Sequence, residues 1–139
     1  MSDPTAFVLD SFALLAYLQD ELVAPRVEKL LDNAGREKCR IFLSLINLGE
    51  ILYITERRGG VVKAHDTLAL IRQLPIEIPQ VDEQTVFAAA HIKANHTLSY
   101  ADAFVVATAI QENATVITAD PEFQSVDALV KVEWLQIPE

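Results

Sequence analysis

Apolar positions along this chain change period several times, and each change marks an element. Phe7, Val8 and Leu9 form an unbroken apolar run ending on Asp10, which predicts a strand over 6–10 buried on both faces. Apolar residues then fall at 12, 14, 15 and 18, the spacing of one helix face, and predict a helix over 11–19. Pro25 suits the first turn of a second helix, reaching 33, and residues 40–43 predict a second strand. Ser44 is a cap for a long helix to Arg58, which the Gly59–Gly60 pair ends. A helix over 61–74 stops at Pro75, and the alternating Ile76, Glu77 and Ile78 predict a third strand. Helices follow over 82–95 and 99–112. The β-branched run Thr115, Val116, Ile117, Thr118 predicts another strand, and 130–135, with the only Trp, Trp134, predicts the last.

Short apolar strands separated by helices predict an α/β protein, with a central, mainly parallel sheet and helices on both faces. Such sheets bind ligands outside the carboxyl ends of their strands. That rule selects Asp10 and Asp120, each just past a predicted strand.

A length of 139 residues fits one domain, 1–139. An apolar share of 51% excludes a disordered chain, and a single cysteine, Cys39, excludes a disulfide scaffold. The lone cysteine and the absence of a basic leader predict a cytoplasmic location. The longest apolar-rich stretches, 41–54 and 101–110, each contain a carboxylate and fall short of the roughly 18 residues a membrane span needs. A net charge of −9 argues against a broad basic face for nucleic acid. A nuclease stays open, because bound cations reverse the local sign.

Two further acids stand in awkward places. Glu50 has Ile46, Asn47, Tyr53 and Ile54 as its neighbours three and four residues away, and so falls on what reads as an inward stripe. An ion pair with Arg57 is the plainer explanation of its position. Asp102 sits among Leu98, Ser99, Val105 and Val106, and Ser99-Tyr100-Ala101-Asp102 also matches a capping box. Asp10 could simply cap the helix behind it, and Asp120-Pro121 could simply open a turn. Taken together, two acids at strand ends and two on inward helix faces could meet at the sheet's carboxyl edge. Carboxylates that close repel one another unless a cation neutralises them. Mg²⁺ and Mn²⁺ bind through such oxygens and suit phosphodiester chemistry. Arg57 and Arg58 are candidates to track a phosphate backbone, or merely complement the helix dipole. His65, His91 and His96 make no zinc pattern and read as surface residues; Cys39 reads as a buried, inert thiol, and no P-loop motif occurs.

The chain resembles PIN-domain ribonucleases, most closely the VapC-like toxins of bacterial toxin–antitoxin pairs. The matching segments are Phe7-Val8-Leu9-Asp10-Ser11 with Leu14-Leu15-Ala16-Tyr17-Leu18, Ile46-Asn47-Leu48-Gly49-Glu50-Ile51, Leu98-Ser99-Tyr100-Ala101-Asp102-Ala103-Phe104 and Val116-Ile117-Thr118-Ala119-Asp120, in order across nearly the whole chain. The resemblance implies a PIN-like three-layer α/β/α sandwich and Mg²⁺- or Mn²⁺-dependent hydrolysis of RNA that leaves a 3′-hydroxyl and a 5′-phosphate. It implies Asp10, Glu50 and Asp102 as metal-holding catalytic acids, with Asp120, or Glu122 two residues on, as the fourth. Ser11, Ser99 and Thr118 would support them. It also implies a homodimer and a small antitoxin partner, with the apolar faces of helices between 44 and 74 as the contact surface. Three alternatives stand beside it: an RNA-processing nuclease with no toxin role, a receiver-like Mg²⁺-binding signalling module, and an aspartyl-phosphate phosphatase. The receiver-like module would need a lysine near the last strand's end, whereas Lys131 begins that strand; the phosphatase would need Asp-x-Asp where Asp10-Ser11-Phe12 stands.

Overall fold

Four short strands carry the sheet, and their side chains alternate between two cores. The computed structural model describes residues 5–19 and 24–136. Its elements run β1 (Thr5–Leu9), α1 (Ser11–Leu18), α2 (Ala24–Gly35), β2 (Cys39–Phe42), α3 (Leu45–Gly59), α4 (Val61–Gln73), α5 (Glu83–Asn95), α6 (Tyr100–Glu112), β3 (Thr115–Thr118), a 3-10 helix (Pro121–Val126) and β4 (Val132–Trp134). The strand order is β2-β1-β3-β4, and every described pairing is parallel. Val8 of β1 lies level with Phe42 on one side and Val116 on the other.

Because successive residues of a strand point to opposite faces, one register serves two cores. Leu9, Ile41 and Ile117 pack with Leu14, Leu30, Ile51 and Ile71 of α1 to α4. Val8, Phe42 and Val116 pack on the other face with Ala89, Ile92 and the buried stripe of α6. The expected three layers are present, and the acid-bearing strand ends share one edge of the sheet. Ser44 caps α3, its hydroxyl accepting from Ile46 N–H, and Gly60 at φ 89° separates α3 from α4.

Two predicted features differ. Ile76, Glu77 and Ile78 do not form a strand: the segment meets β2 in an isolated parallel bridge, Phe42 with Glu77. Glu77 N–H donates to Ile41 and Leu43 N–H donates to Glu77, but Pro75 and Pro79 flank the bridge and lack the N–H a ladder needs. An exposed bidentate pair from Arg40 to Glu77 clamps the bridge. The last strand is shorter than 130–135 because the 3-10 helix and a turn occupy the approach to it. A second bidentate pair, Arg26 Nε and Nη2 to Glu133 at 2.7 and 2.8 Å, ties α2 to β4.

Candidate functional site

Asp10 leaves β1 and caps α1, its Oδ1 accepting from Ala13 N–H at 2.8 Å. Its other oxygen, Oδ2, accepts from the Thr118 hydroxyl at 2.5 Å. The same hydroxyl accepts from Asp120 N–H at 3.0 Å, so one threonine at the end of β3 sets two of the four predicted acids. Asp120 in turn caps the 3-10 helix, accepting from Glu122 N–H at 2.9 Å. The capping and turn-opening roles expected of Asp10 and Asp120 are both real, and they coexist with convergence on a cluster.

Asp102 enters from the first turn of α6, where Ser99 is the cap and accepts from Asp102 N–H at 3.1 Å. Carboxylate oxygens of Asp102, Asp120 and Glu122 lie within 4.8 Å of one another. Asp120 and Glu122 therefore stand in the cluster together; the first is half-buried and the second exposed.

Glu50 arrives from the middle of α3 and is half-buried. Its surroundings differ from the expected inward stripe. Ile46 and Tyr53 are exposed, whereas Asn47, Leu48 and Ile51 form the buried face of α3. Both stripes are apolar in sequence, and Glu50 stands on the wet edge of the helix. The alternative explanation, an ion pair with Arg57, does not form among the described residues: the Arg57 guanidinium lies 4.9 Å over the Tyr53 ring instead.

The electrostatics tie the acids into one group. Burial pushes Asp10 from 3.8 up to about 6, opposed by its bonds from Thr118 and Ala13, with the charges of Asp120 and Glu50 adding to the rise. Burial also raises Asp102 to about 7, helped by the negative charges of Asp10, Asp120 and Glu50 and opposed by the Ser99 hydroxyl. Among the described residues no lysine or arginine pairs with these carboxylates. The donor set is all oxygen, crowded and under-neutralised, which fits a hard divalent cation and no soft metal.

One residue of the site's surroundings escaped the sequence reading of function. Asn47 is fully buried and donates from Nδ2 to Ser11 Oγ at 3.0 Å. Its signals in the sequence are an amide inside the apolar run Leu45 to Leu48 and a place in the matching segment three residues before Glu50. Cys39 is buried as expected, its thiol raised by burial and its Sγ set against the Leu30 carbonyl. His65 and His91 are exposed, but His96 is half-buried, with Nδ1 donating to the Ser125 carbonyl.

Comparison with known families matches residues 7–129 to the PIN domain. The fold is similar to VapBC2 of Rickettsia felis, solved bound to a promoter DNA fragment, with TM-score 0.74 and 17% identity over 95% of this chain and 100% of that one. DNA-bound VapBC of Salmonella typhimurium is similar at TM-score 0.74 and 17% identity, covering 95% and 99%. VapC20 of Mycobacterium tuberculosis, a toxin that cleaves the sarcin–ricin loop, is similar at TM-score 0.62 and 19% identity, covering 81% and 87%. A comparison with curated protein sequences gives no match.

Proposed function

Because this chain belongs to the PIN-domain family, we propose that it is a divalent-metal-dependent endoribonuclease and the toxin of a toxin–antitoxin pair. The observation that carries this reading is the group of Asp102, Asp120 and Glu122 carboxylates within 4.8 Å of one another, with Asp10 and Glu50 in electrostatic reach, at the carboxyl edge of a parallel sheet. Asp10, Glu50, Asp102 and Asp120 would hold Mg²⁺ or Mn²⁺, with Glu122, close to Asp102 and Asp120, as a further oxygen donor. When bound, the cation activates water and neutralises charge on the scissile phosphate.

The chain's own residues prepare that centre. Thr118 presents Oδ2 of Asp10 and the backbone of Asp120 in one arrangement. Asp10 and Asp102 exchange protons near neutrality, at about 6 and about 7, so uptake of the cation releases protons. Activity accordingly rises between pH 5 and pH 8. Arg57, held over Tyr53 beside Glu50, is the cation nearest in sequence for contact with an RNA phosphate.

One similar solved structure, from Klebsiella pneumoniae, is a toxin–antitoxin complex, and a small antitoxin is the proposed partner here. Among the described residues, six of the eleven exposed large apolar side chains, Leu45, Ile46, Tyr53, Val61, Val62 and Leu70, lie on α3 and α4. That face supports the proposed contact surface for a homodimer. The proposed nuclease is one domain over residues 1–139 and works in the cytoplasm. No described helix is long and apolar enough to cross a membrane.

The test is cleavage of a mixed RNA panel with Mg²⁺, Mn²⁺ or chelator, comparing wild type with Asp102→Asn. Metal-dependent cutting lost in the variant is expected. Cutting that persists in Asp102→Asn, or in chelator, removes the proposed mechanism.

A further inference from the structure

The acids of the cluster are held unequally. Asp10 is bonded by Ala13 N–H and by Thr118. Asp120 is tied through its own N–H and through Glu122, and the backbone of Asp102 is bonded to Ser99. Among the described residues the Glu50 carboxylate makes no hydrogen bond or ion pair, so its place is set by α3 as a rigid body.

A buried polar contact fixes α3 against α1. Asn47 Nδ2 donates to Ser11 Oγ at 3.0 Å, and that hydroxyl donates to the Asn47 carbonyl oxygen at 3.4 Å. Ser11 directly follows Asp10, and Asn47 stands one turn before Glu50 on the same side of α3. The contact thus joins the residue beside one carboxylate to the helical turn beneath another.

Packing does not explain the amide. Asn47 Oδ1 is buried with no hydrogen-bond partner. A buried carbonyl left unpaired destabilises a fold. Leucine, of similar size and beside Leu48 and Ile51, would remove that penalty. A stability cost of this kind, placed next to a functional cluster, is the pattern expected where a residue serves the site more than the fold.

We propose that Asn47 is a positioning residue that, through Ser11, sets the separation of Glu50 from Asp10 and so tunes the cluster for its cation. The inference rests on the metal-dependent nuclease reading. Residues behind metal ligands typically change metal affinity or activity about 10–100-fold when replaced.

The test titrates Mn²⁺ into metal-free wild type, Asn47→Leu and Ser11→Ala by calorimetry, with thermal melts in chelator and RNA kinetics alongside. Asn47→Leu should melt at or above wild type while its Mn²⁺ Kd rises about 10–100-fold. Its kcat should fall by a similar factor, with KM for RNA within about twofold. Ser11→Ala should weaken Mn²⁺ in the same direction. A folded Asn47→Leu with wild-type Mn²⁺ affinity overturns the inference. So does an Asn47→Leu that melts well below wild type, because the amide then serves the fold. If wild type itself binds no Mn²⁺ and cuts no RNA, the nuclease reading fails first and the inference with it.

Discussion

Replacing Asp10 with asparagine should make the metal-free protein more stable, by a margin that grows as pH rises from about 4 to about 6 and is level beyond. Asparagine keeps the side-chain shape and the cap on α1. Wild-type Asp10 is 2% exposed, and its pKa stands at about 6 against 3.8 in the unfolded chain. The native state therefore binds this proton more tightly than the unfolded state does. Stability from the group is full below pH 3.8, falls as pH rises towards 6, and stays low beyond. A shift of about two units withholds about 3 kcal/mol at pH 8. Asparagine escapes that loss but turns Nδ2 towards the Thr118 hydroxyl, which costs about 1 kcal/mol. About 2 kcal/mol remains. At an unfolding entropy of about 0.3 kcal/mol/K for a chain of this size, that is about 7 °C in Tm. Removing the Asp10 charge also relieves Asp102, which adds in the same direction. The assay is scanning calorimetry in chelator at pH 4 and pH 8. Asp10→Asn should melt about 7 °C above wild type at pH 8 and level with it or slightly below at pH 4. Adding Mn²⁺ at pH 8 should then raise wild type alone. A gap of the same size at both pH values would refute the idea of a desolvated carboxylate under strain from its neighbours.

Three further outcomes follow from the same geometry. Thr118→Val strips the hydroxyl from Asp10 Oδ2 and from Asp120 N–H; the Asp10 pKa should rise above 6, read by carboxyl NMR, and stability should fall by about 2–4 kcal/mol in urea unfolding. Asp120→Asn should weaken Mn²⁺ binding by about tenfold or more and Glu122→Gln by less than about threefold, because the half-buried acid is tied to Thr118 while the exposed one rotates in water. Gly60→Ala should cost about 1–3 kcal/mol, since φ 89° with ψ 172° is a glycine conformation; wild-type stability of this variant in urea unfolding would contradict this.

How far the site was legible follows from what each residue answers to. Asp10 and Asp120 sit where strands end, and strand ends show in a sequence because the apolar run stops. Asp102 was legible because α6 is apolar around it, and its capping signal, Ser99, is the cap in the structure. Glu50 was found for a partly mistaken reason. Helix α3 carries two apolar stripes, and periodicity cannot say which one meets the core; Leu48 and Ile51 do, while Ile46 and Tyr53 face water. Residues 76–78 misled because alternation is necessary for a strand but prolines on both sides deny it a ladder. The 3-10 helix after Asp120 leaves no periodic trace over six residues. Asn47 shows in the sequence as an amide in apolar company within the Glu50 segment, but its unpaired oxygen is a fact of three-dimensional packing. The receiver-like and phosphatase alternatives fall with the family assignment.

The bond from Thr118 to Asp10 spans 108 positions of chain. Between them lie β2 and, among the described residues, six α-helices. A chain still being synthesised meets β1 and α1 early but has nothing to hold Asp10 until β3 has emerged and threaded beside it. Fragments ending before residue 118 cannot set this carboxylate, however well their helices form. Assembly of the carboxylate cluster and completion of the fold are thus a single event: the ribosome-bound chain carries Asp10 and Glu50 long before it carries the arrangement. A cut in the loop between α4 and α5 should likewise leave two halves that regain the cluster only by reassociating.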